Sequence, residues 1–328
     1  MINRRRFMIT SATGLAFMRA GNFAPAVAQV AGKTARLLVG TPPGGALDTV
    51  ARLLVNEMKD YSPLIVDNRP GAGERIALEA LKTGATDGSL LMLTGSSPIA
   101  LFPHSYRKLS YDPLKDFIAV STVATFPFLL TVGPMVPASV KTLPDFVGWC
   151  RANTAKASYG AFGAGSPHHF IGAMLARGAG FQFTHVPYQG AVAAVQDLLG
   201  GQIAATVFPA GVTLPHMQSG ALRGLATTGA QRSSLLPDVP TFKELGFSGI
   251  EIVDWFGIFV PAQTPSAIVS RLNGSIRDAL KKSEVSAGLA KLSFEPASSS
   301  SSEFALLVKS DFERWGRIVK ESGFTAID

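Results

Sequence analysis

The 328-residue sequence has a single cysteine, Cys150, so the chain cannot form an internal disulfide. Only 16% of its residues are charged and 47% are hydrophobic, a balance that excludes a disordered chain and allows a sizeable core. No apolar run reaches the roughly 18–20 residues needed to span a bilayer. Basic residues do not cluster with aromatic residues, so we expect no nucleic-acid partner.

The motifs of common enzyme classes are also missing. The nearest approach to a nucleophile elbow starts at Gly95, but Ile99 stands where the second glycine is required. Neither a nucleotide-binding P-loop nor a complete dinucleotide fingerprint occurs. The adjacent His168 and His169 would point in different directions on one helix, so we expect no metal site. The glycine-rich loops hold no paired carboxylates for proton transfer. The sequence therefore favours a binding protein with no catalytic residue, metal or cofactor.

Residues 1–28 have the pattern of an export signal. Arg5, Arg6 and Phe7 form a twin-arginine start, and a modestly apolar run follows. Ala26 and Ala28 place small residues where a signal peptidase cleaves. We interpret residues 1–28 as a signal peptide of the twin-arginine type, cleaved near Ala28. A membrane anchor is the alternative, but the apolar run is short for a membrane span. We expect a soluble, periplasmic protein whose mature part is mildly basic.

A glycine-rich turn at residues 40–48 joins a predicted strand, Ala35 to Val39, to a predicted helix. The helix is indicated by apolar residues at helical spacing from Leu47 to Met58. Glycines let backbone N–H groups approach a ligand, and the positive end of a helix favours an anion. Two alternatives stay open here. The segment could be a tight turn without a ligand, and Asp48 could merely complement the helix dipole.

Strands, small-residue loops and helices alternate along the rest of the chain, which indicates parallel βαβ units with ligand-binding loops at the carboxyl ends of the strands. The pattern restarts near residue 133, and a second crossing is expected at Trp255–Pro261. We therefore predict a two-lobed α/β protein of the periplasmic-binding-protein type, each lobe a mainly parallel sheet flanked by helices. Lobe 1 would comprise residues 33–132 and 254–328, and lobe 2 residues 133–253, hinged by the crossing strands.

Two local predictions follow from the same patterns. Ile118–Val123 and Phe128–Val132 are expected to be two separate strands. A short helix is expected to end at Leu245, after the proline-containing segment that starts at Leu236.

A set of short motifs in one order carries a family resemblance. They are Thr41-Pro42-Pro43-Gly44-Gly45-x-x-Asp48, Asn68-Arg69-Pro70-Gly71-Ala72-Gly73, Asp87-Gly88, Tyr111-Asp112-Pro113-x-Lys115-Asp116-Phe117, Gly165-Ser166-Pro167, His185-Val186-Pro187-Tyr188-x-Gly190, Asp197-Leu198-Leu199-Gly200-Gly201-Gln202, Leu236-Pro237-Asp238-Val239-Pro240-Thr241 and Trp255-Phe256-Gly257. Together they resemble the Bug family, the substrate-binding proteins of tripartite tricarboxylate transporters. The likeness extends over essentially the whole mature chain.

The resemblance implies that a small organic carboxylate is held in the inter-lobe cleft, largely by backbone amides and water, and is passed to membrane permease subunits. It assigns ligand-binding positions to Pro43, Gly44, Gly45, Asp48, Thr94, Gly95, Ser96, Ala161, Gly165, Ser166, Tyr188, Phe208 and Trp255. We expect a monomer. A ligand sensor for a signalling kinase and a carboxylate-processing enzyme are the alternatives.

Two departures from the family pattern matter for the ligand. Family members commonly have an aspartate after the strand that ends here at Phe208, but this chain has Pro209, which makes an amino-acid ligand less expected. Family members often have Gly-Asn where this chain has Glu74 and Arg75. We expect Arg75 to face solvent.

Overall fold

The computed structural model describes residues 34–61 and 63–328. The predicted signal peptide, residues 1–28, lies outside them. Among the described residues, no helix has both the length and the apolar character that crossing a membrane requires.

Ten strands and ten helices can be followed along the described chain. The strands are β1 (Ala35–Val39), β2 (Leu64–Asn68), β3 (Leu90–Gly95), β4 (Phe117–Val132), β5 (Ser158–Phe162), β6 (Thr184–Tyr188), β7 (Ala205–Pro209), β8 (Arg223–Thr227), β9 (Val253–Pro261) and β10 (Glu295–Pro296). The helices are α1 (Ala46–Glu57), α2 (Arg75–Lys82), α3 (Phe102–Ser105), α4 (Leu143–Ala152), α5 (Pro167–Ala179), α6 (Ala191–Leu199), α7 (Leu214–Gln218), α8 (Ser266–Leu280), α9 (Ser283–Lys291) and α10 (Ser301–Ser322). Short 3₁₀ turns occupy Lys59–Tyr61, Ala72–Glu74 and Ala210–Val212, and a π-helical turn occupies Ser97–Leu101.

The strands form one continuous path in the order β2-β1-β3-β9-β4-β7-β5-β6, with β8 and β10 also paired to β4. The pairs β2-β1, β1-β3, β5-β6 and β5-β7 are parallel, while β9 is antiparallel to both β3 and β4. The carboxyl ends of β1 and β3 therefore share one edge of the first sheet, and those of β5 and β7 share one edge of the second. Loops at such edges are where open α/β sheets bind ligands.

Strand β4 joins the two sheets. Its residues from Phe117 to Pro127 pair with β9, and those from Phe128 to Val132 pair with β7. The separate strands predicted at Ile118–Val123 and Phe128–Val132 are thus one strand, and the prediction of a break was wrong. Strand β4 belongs to both sheets, so the sheet pairing alone does not mark where one lobe ends. The predicted lobe boundary near residue 133 stays a prediction.

The helices form where the sequence supplies caps and an apolar face. Helix α4 begins with a capping box of Thr142 and Asp145, and α10 with one of Ser300 and Glu303. Helix α10 contacts β4, the π-helical turn and α5, so it touches elements of both sheets. The helix predicted to end at Leu245 is absent from the described chain, which forms turns there.

Candidate functional site

The turn before α1 is held by Asp48, which is only 2% exposed. Its Oδ2 accepts hydrogen bonds from the Gly44 amide and from Arg52 Nε, both at 2.9 Å. Its Oδ1 accepts one from Asn68 Nδ2, also at 2.9 Å. Burial alone would raise the pKa of Asp48, but these hydrogen bonds outweigh burial and lower the pKa to about 2. The carboxylate therefore shapes the turn, and its oxygens already have protein partners.

What the turn leaves open is the start of α1. Gly44 has a φ of +85°, a conformation that suits glycine, and its amide is used by Asp48. Gly45 is exposed and is the N-cap of α1 without a side-chain capping bond. The first N–H groups of a helix have no partner within the helix and attract anions. The N–H groups of this turn that could bind an anion are therefore at the Gly45 end, with Pro43 exposed beside it.

The turn between β2 and α2 brings an acidic side chain to the same edge. Glu74 has a φ of +73° and lies against Gly40, where an added Cβ would be 2.5 Å from the Glu74 Cβ. Thr94 at the end of β3 donates a hydrogen bond from Oγ1 to Glu74 Oε2 at 2.9 Å. Glu74 is half-buried, and burial raises its pKa to about 7, with Asp254 adding to the rise. The hydroxyl of Thr94 is thus already engaged by a carboxylate.

A second carboxylate approaches from the crossing strand β9. Asp254 is 8% exposed and accepts a hydrogen bond from the Trp255 amide at 2.7 Å. Burial raises its pKa to about 6, although the Ser96 side chain acts on Asp254 as well and lowers the pKa. Gly95, between the two hydroxyl residues, lies under the Phe256 ring. Glu74 and Asp254 thus bring two carboxyl groups, one from a turn and one from β9, towards the end of β3.

The second sheet contributes the start of α5. Ser166 caps this helix by accepting a hydrogen bond from the His169 amide, and Gly165 before it has a φ of +80°. Ala161 is fully buried near the end of β5. Gly165 lies against the Phe324 ring, which belongs to the segment after α10. Helix α5 thus starts at the carboxyl end of β5, as α1 starts at that of β1.

His168, in the first turn of α5, is buried among aromatic rings. Its ring centroid is 4.7 Å from that of Phe128, 4.5 Å from Phe162 and 5.3 Å from Phe208. Burial lowers the pKa of His168 to about 3, so the imidazole is neutral at physiological pH. Phe208 is therefore part of this aromatic cluster at the end of β7.

Two further predicted positions have partners of their own. Trp255 is 1% exposed, packs on Phe304 and donates from Nε1 to Asp311 Oδ2 at 2.7 Å, which places its indole in the core. Tyr188 donates its hydroxyl to Asp197 at 2.6 Å. Burial raises the pKa of Tyr188 to about 12, with Asp197 adding to the rise.

The predicted positions therefore fall into two groups. The first sheet gathers Pro43, Gly44, Gly45, Asp48, Thr94, Gly95 and Ser96, and the second gathers Ala161, Gly165, Ser166 and Phe208. Sequence reasoning missed the inward side chains of Glu74 and Asp254. The sequence did contain a signal for Glu74, because it occupies a position in the turn where the family motif favours glycine. Within the described residues, no group of histidine, cysteine and acidic side chains could hold a metal ion.

Comparison with known proteins gives a consistent result. The family model described as tripartite tricarboxylate transporter family receptor matches residues 50–324. The chain is 31% identical to Protein BugT of Bordetella pertussis over 314 residues, which is 94% of this chain and 96% of that protein.

Solved structures agree with this result. The structure of Rpa4515 from R. palustris with adipate has a TM-score of 0.81 and 28% identity, covering 91% of this chain and 100% of that one. MatC from Rhodopseudomonas palustris with bound malate has a TM-score of 0.75 and 28% identity, covering 87% and 98%. Similar structures also include periplasmic binding proteins, so the predicted two-lobed α/β fold is confirmed.

Proposed function

This chain belongs to the tripartite tricarboxylate transporter family of receptors, and we propose that it captures a small organic carboxylate between its lobes and delivers it to a membrane permease of that transporter type. Membership of the family confirms the resemblance to the Bug proteins. We further propose that the protein works in the periplasm, where the twin-arginine signal of residues 1–28 would direct it.

One observation carries the proposal: two helices, α1 and α5, begin at the carboxyl ends of parallel strands in the two sheets. Each helix start offers a partial positive charge, which favours a carboxylate. The start of α1 has no side-chain cap, whereas at α5 Pro167 has no N–H and Ser166 already accepts the His169 amide, so fewer N–H groups are open there. The cap of α1 is the exposed Gly45, and that of α5 is Ser166. A ligand with carboxylate character could therefore be held from both lobes at once.

The bound ligands of two similar structures support the same chemistry. Adipate and malate, in the structures from R. palustris, are both small organic carboxylates. The family consists of solute-binding receptors, so we propose binding without turnover. The ligand recovered from the protein should therefore be chemically unchanged.

A thermal-shift screen tests the proposal directly. Purified mature protein is heated with a panel of mono-, di- and tricarboxylates, including adipate and malate. A ligand at 100 times its Kd stabilises the folded state by about 2.7 kcal/mol, which gives a clear rise in Tm. The matched controls are the amides of the same acids, which keep the size and remove the charge. No shift with any carboxylate, or equal shifts with the amides, would refute carboxylate capture.

A single substitution tests whether the start of α1 takes part. Gly45 has a φ of −73°, so Gly45→Val meets no positive-φ strain, yet its side chain would stand beside the unpaired N–H groups of α1. We expect the affinity for the best carboxylate to fall about tenfold or more, equivalent to about 1.4 kcal/mol. Unchanged affinity in calorimetry, with the fold intact by circular dichroism, would remove this turn from the site.

A further inference from the structure

The turn at Gly71–Glu74 aims an acidic side chain at the candidate cleft. Four consecutive residues have positive φ: Gly71 at 137°, Ala72 at 48°, Gly73 at 63° and Glu74 at 73°. This path turns the Glu74 side chain inward, across Gly40 at the end of β1 and onto Thr94 at the end of β3. Glu74 therefore lies at the edge of the first sheet where β1 and β3 end, and it is partly accessible to solvent.

The Glu74 carboxyl group has a second acidic group nearby. Among the residues that the structure describes, it has no basic ion-pair partner. Asp254 on β9 is close enough to raise the pKa of Glu74. The neighbouring Arg75 is directed elsewhere: its Nε donates to the Ala72 carbonyl, and its guanidinium lies 4.3 Å from the Tyr106 ring centroid. Arg314, the basic group that acts on Asp254, forms its ion pair with Asp311 at 2.9 Å. The pKa values of about 7 for Glu74 and about 6 for Asp254 leave this pair partly ionised at neutral pH, and no described basic group forms an ion pair with Glu74.

Electrostatics then restricts the ligand. A half-buried carboxylate beside a second one is costly unless a positive group or a proton compensates it. A ligand carboxylate placed next to Glu74 would add a third negative group at short range, where the effective dielectric constant is low. An ammonium group would remove the cost and gain a charge-assisted hydrogen bond.

We propose that Glu74, backed by Asp254, selects a ligand that carries a cationic amino group as well as its carboxylate. The inference rests on the proposed function and narrows its ligand class. It reverses the expectation drawn from Pro209, because Glu74 supplies an acidic group from the first sheet in place of the aspartate that this chain lacks after Phe208. The carboxylate end lies at the helix starts, and the amino group faces the first-lobe edge between Gly40 and Thr94.

Matched ligand pairs test this selection. Each pair differs by one amino group: L-glutamate with glutarate, L-aspartate with succinate, and 4-aminobutyrate with butyrate. Affinities are measured by isothermal calorimetry on the mature protein. We expect the amino member of the best pair to bind at least tenfold more tightly. Tighter binding by the member without nitrogen would overturn the proposal.

Two variants of the same residue link the preference to Glu74. Glu74→Gln keeps a hydrogen-bond acceptor for Thr94 and removes the charge. Glu74→Gly relieves the positive φ and so protects against loss of folding. Both should reduce the amino preference at least tenfold. The control is Glu79→Gln, which makes the same change on the outer, exposed side of α2. An unchanged preference in both Glu74 variants, or an equal loss in the control, would overturn the role of Glu74.

The ligand that co-purifies with the protein gives an independent readout. Native mass spectrometry of protein purified without unfolding, followed by identification of the released molecule, shows whether it contains a basic nitrogen. An amino-containing carboxylate supports the proposal. A carboxylate without nitrogen overturns this inference and leaves the proposed function intact. If no carboxylate is found on the protein and none in the panels binds, the proposed function fails and the inference with it.

Discussion

The substitution Asp48→Ala tests whether this carboxylate is a structural part of the turn before α1. It removes the acceptor for the Gly44 amide, Arg52 Nε and Asn68 Nδ2. The Gly44 amide in the turn and the Asn68 side chain at the end of β2 then lose a partner. We therefore expect the ligand-free protein to unfold more easily, and the cost can be worked out from the pKa of Asp48.

The pKa of Asp48 is about 2 in the folded protein, against an ordinary value of 3.8. Each unit of difference corresponds to about 1.4 kcal/mol, so the charged form stabilises the folded state by about 2 kcal/mol. Because the folded pKa is the lower one, this contribution is present above about pH 4 and disappears as the pH falls towards 2.

Urea denaturation at several pH values measures the effect. At pH 7, Asp48→Ala should lower the free energy of unfolding by about 2 kcal/mol. Asp48→Asn keeps the size of the side chain and removes only the charge. Because the wild-type carboxylate becomes protonated as the pH falls, the difference in free energy of unfolding between the two proteins should shrink between pH 5 and pH 2.5. Asp278→Ala is the control, because Asp278 is exposed and forms an ion pair with Lys281 three residues away; it should cost much less than Asp48→Ala. Equal costs for Asp48→Ala and Asp278→Ala, or a pH-independent Asp48→Asn difference, would refute the reasoning.

Three further substitutions have expected outcomes in the same denaturation assay. Trp255→Phe removes the donor to the buried Asp311 and should destabilise the protein by about 1–3 kcal/mol; a change below 0.5 kcal/mol would contradict this. In Gly172→Ala, the new Cβ would be 2.2 Å from the Tyr159 ring, so we expect a loss of about 1–3 kcal/mol. Gly148→Ala, also within a helix, meets nothing within 4 Å and should stabilise by about 0.5–1 kcal/mol. If both alanine substitutions changed the free energy of unfolding in the same direction, the contrast between the crowded Gly172 and the open Gly148 would be refuted.

The alternation of strands, loops and helices was enough to predict the α/β class and the edge of each sheet where the loops gather. The course of β4 was not predictable in the same way. Pro127 lacks an amide hydrogen and follows Phe126 in a sequence that suggests a break. The strand nevertheless continues, because β9 ends its pairing at Pro127 just where β7 begins at Phe128. Tertiary partners, which no local pattern contains, decide that point.

The candidate site shows the same division. The glycine-rich turn before α1 and the serine cap of α5 were visible as motifs, because they depend on local backbone geometry. The roles of Asp48 and Glu74 depend on where other segments bring Asn68 and Thr94. An aspartate in a first helical turn usually complements the dipole, and only the folded chain shows that it also ties β2 to the turn. For Glu74, the positive φ, which is unusual for a residue other than glycine, turns the side chain inward instead of towards solvent.

The position of β9 has a consequence for how the chain is made. Strand β9 lies between β3 and β4 in the sheet, although four other strands, β5 to β8, come between β4 and β9 in the sequence. Until Val253–Pro261 has been synthesised, β3 and β4 each present an unpaired edge, which is a template for association with other chains. The sheet that contains β1 and β3 is therefore completed only after β9 has been made. A chain truncated before Val253 would lack the strand that joins β3 to β4 and would leave both edges open.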